Sequence, residues 1–117
     1  MITFEQLPFL YRIAAKIDLA AMAKLLGRKD LLPDGFDKEK ISDEKMAEIV
    51  FEFAAVLIPK MEEINEDIVG LVAATKGIHV DDAKKLDAIQ SIKDLLSEAG
   101  VLDFFKKYLK QKAGQKQ

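Results

Sequence analysis

His79 is the single histidine of the 117-residue chain and stands beside two carboxylates in the run Ile78-His79-Val80-Asp81-Asp82. Such a group could hold a divalent cation weakly. A metal centre, however, needs several nitrogen, sulfur or oxygen ligands converging on one point, and this run lacks the spacing of a calcium loop. A histidine just after a glycine stop, here Gly77, reads as a loop or capping residue. A second acidic group, Glu62, Glu63, Glu66 and Asp67, crowds one helical surface, with Glu62 and Glu66 four apart on the same side. Di-metal bundles combine such glutamates with a histidine at Glu-x-x-His spacing, a motif this sequence does not contain. The carboxylates are read as a solvated acidic face. No serine, threonine or lysine has a base at recognisable spacing, and Gly70 and Gly77 match no phosphate loop. Cysteine is absent, which excludes disulfides and thiolate chemistry and is compatible with a reducing compartment. No catalytic residue, cofactor or metal site is assigned, and the chain is expected not to be an enzyme.

The remaining chemistry is that of binding. Phe104, Phe105 and Tyr108 are interleaved with Lys106, Lys107 and Lys110. Adjacent helical residues point about 100° apart, so Phe104 and Phe105 cannot share one narrow stripe. Either the last helix is wedged between two others, or one aromatic anchors another subunit. The charge is also uneven: residues 59–100 carry five Lys against nine Asp/Glu, whereas 101–117 carry five Lys against one Asp. Overall the chain has 18 basic and 20 acidic residues, net −2, too acidic for general affinity to nucleic acid.

Every apolar series has helical spacing and no strand pattern shows, so the expectation is an all-α fold. Specifically, it is a single compact domain of five or six short helices over residues 1–112, with 113–117 a frayed polar tail. Thr3 and Gln6 have capping-box spacing, but Pro8 opposes a helix started at Phe4 and favours a start at Pro8 itself. From there Leu10, Ile13, Ile17, Ala20, Ala21 and Leu25 form one stripe, closed by Gly27. The alanine-rich run from Ala14 to Ala23 would let another helix approach closely. Residues 27–42 form a loop around Pro33-Asp34-Gly35, whose Leu31, Leu32 and Phe36 either fold back on the core or face a partner.

Ser42 or Asp43 caps the next helix. Its apolar residues are Met46, Ile49, Val50, Phe53, Ala54, Leu57 and Ile58, and Phe51 widens that side, which predicts burial on more than one face. Pro59 breaks the chain, since the residue before proline is pushed out of the helical region. A helix over about 60–75 follows, with Met61, Ile64, Ile68, Leu71 and Val72 inward, Gly70 marking close packing and Gly77 the stop. These two helices are expected to supply most of the core. A short turn from Asp81 through Lys85 turns Val80, Ala83 and Leu86 inward. Asp87 then caps a helix with Ile89, Ile92, Leu95 and Leu96 inward, and Gly100 precedes the last one. The first residues, MITFEQLPFLYR, lack a basic region before an apolar run, so no secretory leader is expected. No apolar run approaches the roughly 18–20 residues of a membrane span.

In this order of elements the chain resembles the tail assembly chaperones of long-tailed phages and prophages of Gram-positive bacteria. The likeness lies in Leu25-Leu26-Gly27, a variable acidic loop, an apolar helix ending before Pro59-Lys60, and an acidic EEIxEDIxxLxA-like helix closed by Thr75-Lys76-Gly77. It continues through Val80-Asp81-Asp82, Leu95-Leu96 and Phe104-Phe105-Lys106-Lys107. It covers most of the chain through helix order and local pattern, and carries no catalytic signature. The resemblance implies a non-enzymatic protein of the bacterial host cytoplasm, absent from the mature virion. It would coat the tape measure protein and help recruit tail tube protein. The alternative is a helical adaptor or regulatory domain unrelated to tails, with the acidic face as its partner site; a metal-dependent enzyme built on the carboxylates is the third reading. Leu31, Leu32, Phe36, Phe105, Lys106, Lys107 and Tyr108 are the expected partner-binding residues. Weak homo-oligomerisation is expected where Glu62, Glu63 and Glu66 receive the basic cluster of a neighbouring copy.

Overall fold

The computed structural model describes residues 2–28, 30, 42–98 and 100–115, with side chains described through residue 111. Among them all regular structure is helical: α1 (Leu7–Lys16), α2 (Leu19–Leu26), α3 (Asp43–Leu57), α4 (Met61–Lys76), α5 (Val80–Ala83), α6 (Ala88–Ser97) and α7 (Val101–Gln115). Six of these have eight residues or more, and α5 is a single turn. The radius of gyration, 13.8 Å, is close to the roughly 13 Å of a packed chain this long, so the helices form one all-α body. The helical backbone continues past residue 112 to Gln115.

The first helix is two. Ile17 is extended (φ −82°, ψ 165°), and the Asp18 carboxylate accepts from the N–H groups of Ala20 and Ala21 to start α2. A side chain that offers its own cap competes with helix continuation even inside an unbroken apolar stripe. Of the alanines between Ala14 and Ala23, only Ala14 lies in the core. At the chain start, α1 begins at Leu7, beside the expected Pro8 and not at Phe4, yet the Thr3–Gln6 cap forms around the turn before it. Thr3 N–H donates to Gln6 Oε1 (2.8 Å) and Gln6 N–H reaches Thr3 Oγ1 (3.4 Å), a reciprocal cap around one turn, after which α1 runs on with Pro8 in its first positions. Proline is tolerated there because those N–H groups lack intrahelical partners anyway.

Ser42 caps α3 by accepting from Lys45 N–H, and Asp87 caps α6 by accepting from Gln90 N–H. The break at Pro59 is present, but its mechanism differs from the expected one. Ile58 keeps helical angles (φ −53°, ψ −46°); the chain passes through a 3-10 turn over Ile58–Lys60, and it is Lys60 that leaves the helical region (φ −113°, ψ 10°). Gly77 ends α4 in the left-handed conformation (φ 66°, ψ 37°) that an L-residue adopts at a cost. There Ile78 N–H closes back on Ala73 C=O.

Helix α1 lies along α4 in the most extensive pairing of the molecule; α3 packs on α2 and α6, and α7 crosses α1, α2 and α6. The core is more evenly shared than expected. Met46, Ile49, Val50, Phe53 and Leu57 come from α3 and Ile64, Leu71, Val72 and Ala73 from α4, nine of the 22 core residues, the rest coming from the other segments. In the α5 region Ala83 is buried, but Val80 and Leu86 are exposed, contrary to expectation.

Candidate interaction surface

The residues that could do chemistry are kept apart. His79 is exposed at the start of α5 and its side chain makes no cap. Among the described residues no three His, Cys, Asp or Glu side chains converge on a metal position. Glu62, Glu63 and Glu66 face solvent. Asp67 does not: its side chain is 9% exposed, and it receives Lys16 Nζ at 2.9 Å, with Arg12 at 3.9 Å. Lys16 also donates to Glu63 C=O (3.1 Å). Asp67 is thus a structural partner of α1, and the acidic face loses one of its four members. A buried carboxylate persists only when paired in this way.

Near the other end of α4, Gln6 Nε2 donates to Thr75 Oγ1 (2.9 Å), and that hydroxyl donates to Leu71 C=O (2.7 Å). Lys76 reaches Asp94 on α6 at 2.8 Å, and Gln90 adds a bond at 2.9 Å. The hydrogen bond from Lys76, then that from Gln90, hold the Asp94 carboxyl below its usual range. The Thr-Lys-Gly segment therefore serves as a junction of three elements.

Of the expected partner-binding residues, Leu31, Leu32 and Phe36 lie outside the described residues. Phe105 is corrected: it is 4% exposed and meets Phe53 edge-on, at 6.1 Å between ring centres, so it belongs to the core. Phe104, one residue earlier, meets the Phe105 ring edge-on at 5.6 Å and continues outward into a half-buried aromatic group, 5.1 Å from Tyr11 and stacked on Tyr108 at 6.2 Å. The last helix thus resolves its two adjacent phenylalanines by sending one to the core and one to its boundary. Lys106 is half-buried, whereas Lys107 is exposed and 3.3 Å from Asp103.

Further apolar exposure lies elsewhere. Phe4, in the turn before α1, is 91% exposed, and within the helices Phe51 is 72% exposed, Ile58 63% and Ile89 60%. Phe51 does not widen the buried side of α3 as expected; it belongs to a second stripe, Ala47, Phe51, Ala55 and Ile58, on the opposite side from Ile49 and Phe53. Ile89 was expected inside and instead closes the far wall of a groove of about 270 Å³ between α3 and α6, whose floor is Val50 and Ala54. The missed signal was the spacing of residues 47, 51, 55 and 58, itself helical but out of phase with the core. A second groove, about 280 Å³, lies between α4 and α6 beside Ile68, Leu86 and Ser91.

No helix among the described residues is long and apolar enough to cross a membrane. The chain matches no protein-family model, no curated protein and no solved structure. What fold and surface define is a class: a small all-helical protein with an apolar face left uncovered among the described residues.

Proposed function

We propose that this protein is a non-enzymatic chaperone of phage tail assembly, which binds the tape measure protein and helps recruit tail tube subunits. The identity of the client rests on the resemblance in the sequence. The observation that carries the binding reading is the uncovered stripe Ala47, Phe51, Ala55 and Ile58 beside Ile89. Amphipathic helices dock in apolar grooves through anchors at helical spacing, and a long client offering many such turns gains avidity from weak individual contacts. The protein works in the host cytoplasm and is absent from the finished particle. Lys106, Lys107 and Tyr108 belong to the proposed contact surface, and Glu62, Glu63 and Glu66 of a second copy receive the two lysines. Exposed ion pairs contribute only about 0–1 kcal/mol each, so self-association is weak and fades with salt in sedimentation.

Gene neighbourhood tests the reading first, which expects a very long coiled-coil-rich reading frame just downstream as the client. Co-expression then measures the soluble fraction of that product with and without this protein. A client that stays insoluble beside an excess of the protein, or the lack of such a reading frame, ends the reading.

A further inference from the structure

The groove between α3 and α6 has chemically different banks. The α3 bank carries Asp43 in the groove wall, and Glu44, Glu48 and Glu52 follow at four-residue steps along its outer rim, past Ala47, Phe51 and Ala55 as seen from α6. Glu44 sits in the first turn, where the helix dipole favours it; Glu48 and Glu52 lie further along and owe nothing to that effect. Arg28 lies 3.7 Å from Glu52 and also feels the charge of Glu48, whereas Asp43 and Glu44 have no ion-pair partner among the described residues. The α6 bank carries Gln90 and Lys93. An acidic row with one cation at its far end, beside an uncovered apolar stripe and facing Lys93 across the groove, states what would cover it.

We infer that the α3–α6 groove docks an amphipathic helix that is basic along one flank. Its apolar residues, at three- and four-residue steps, seat on Phe51, Ala54 and Ile89, while its lysines or arginines lie over Glu44 and Glu48. Lys93 disfavours a second basic flank, so the bound helix is basic on one side and acidic or neutral on the other. Charge of this kind fixes orientation and suppresses wrong partners, while the apolar anchors supply most of the affinity. The inference rests on the protein being a helix-binding module, and is independent of which client supplies the helix.

The probe is a synthetic peptide of about 18 residues, five turns, with a leucine stripe, lysines on one flank and glutamines on the other. A second peptide carries glutamates in place of the lysines. Binding is read by fluorescence anisotropy, and each variant is checked for an unchanged circular dichroism spectrum. The lysine peptide binds at least about tenfold tighter than the glutamate peptide, and Phe51→Ala weakens it about tenfold. Glu44→Lys/Glu48→Lys also weakens it about tenfold, whereas Glu62→Lys/Glu63→Lys, the same charge change on α4, alters it less than about threefold. Equal loss in the two charge variants would show attraction to net charge alone and overturn the inference. So would full affinity in Phe51→Ala, or no binding of the lysine peptide up to ~1 mM. If the peptide binds but the tape measure protein is not solubilised, the client assignment falls and the docking site stands; the converse result removes the site alone.

Discussion

The α1–α4 seam and the α3–α6 face are both built from amphipathic helices, yet one is closed and the other left bare. In the seam every odd feature has a counterpart. Gly70 has no Cβ, and the Phe9 ring occupies that place: a Cβ there would lie 2.3 Å from Phe9 Cε1. Asp67 is nearly buried and meets Lys16; Gln6 is buried and meets Thr75. Across the molecule, Phe51 and Ile89 face solvent, and among the described residues Arg28 alone answers the glutamates of α3, pairing with Glu52 and feeling the charge of Glu48. The seam has its partners within the chain, whereas the α3–α6 face leaves Phe51 and Ile89 uncovered among the described residues, which is what the proposed docking would use.

That contrast breaks first at Ile64, which is fully buried in α4. Ile64→Ala is expected to lose about 3 kcal/mol in urea unfolding, through lost transfer energy and a residual cavity. Next, Lys16→Met leaves Asp67 with Arg12 alone at 3.9 Å and is expected to lose about 2 kcal/mol. Lys16→Met/Asp67→Asn should lose less than the two single changes together, so an additive double-mutant cycle would remove the pair from the seam. Gly70→Ala gains about 1 kcal/mol in helix propensity but must displace the Phe9 ring, for a net loss of about 1 kcal/mol. In a Phe9→Ala background the same change should stabilise, and persistent destabilisation there would show that the ring is not the obstacle.

A smaller effect is expected from pH. Asp94 titrates lower in the folded protein than in the unfolded chain because Lys76, then Gln90, donate to its charged form. Its contribution is complete above the ordinary carboxylate value and fades as pH falls through the lowered one. Asp94 and Lys76 are partly solvated, so the contribution is below about 1 kcal/mol. The melting-temperature gap between the parent and Asp94→Asn should close as the solution is acidified from neutral to below that lowered value; a gap that widens would reverse the sign. The smallest effect belongs to the bare face: Phe51→Ser is expected to change unfolding free energy by no more than about 0.5 kcal/mol. A loss as large as that of Ile64→Ala would mean that Phe51 is covered in solution.

Local signals were the legible ones. Ser42 and Asp87 mark helix starts through their side chains, Gly77 a helix end through its lack of one, and Pro59 a break through its ring, although there it is Lys60 and not Ile58 that leaves the helical region. Asp18 was legible in principle, as an acid just before Leu19, but the apolar stripe running through it argued for continuity. Asp67 was not legible as a buried residue, since its environment is set by Arg12 and Lys16 on a helix some fifty positions away in the chain. The same holds for the candidate site. Periodicity identifies Phe51, Ile89 and Phe105 as apolar; only the packing decides that Phe105 is covered and the other two are not.

The ring of Phe9 on Gly70 also limits how the molecule can move. Sliding α1 along α4 by one turn, about 5.4 Å, would bring Glu66 or Ala74 beneath the ring, each with a Cβ where none fits. The seam has one notch and no neighbouring one to click into. Helices α1 and α4 are thereby held in one register, and the 3-10 turn at Ile58–Lys60 passes that fixed position on to α3.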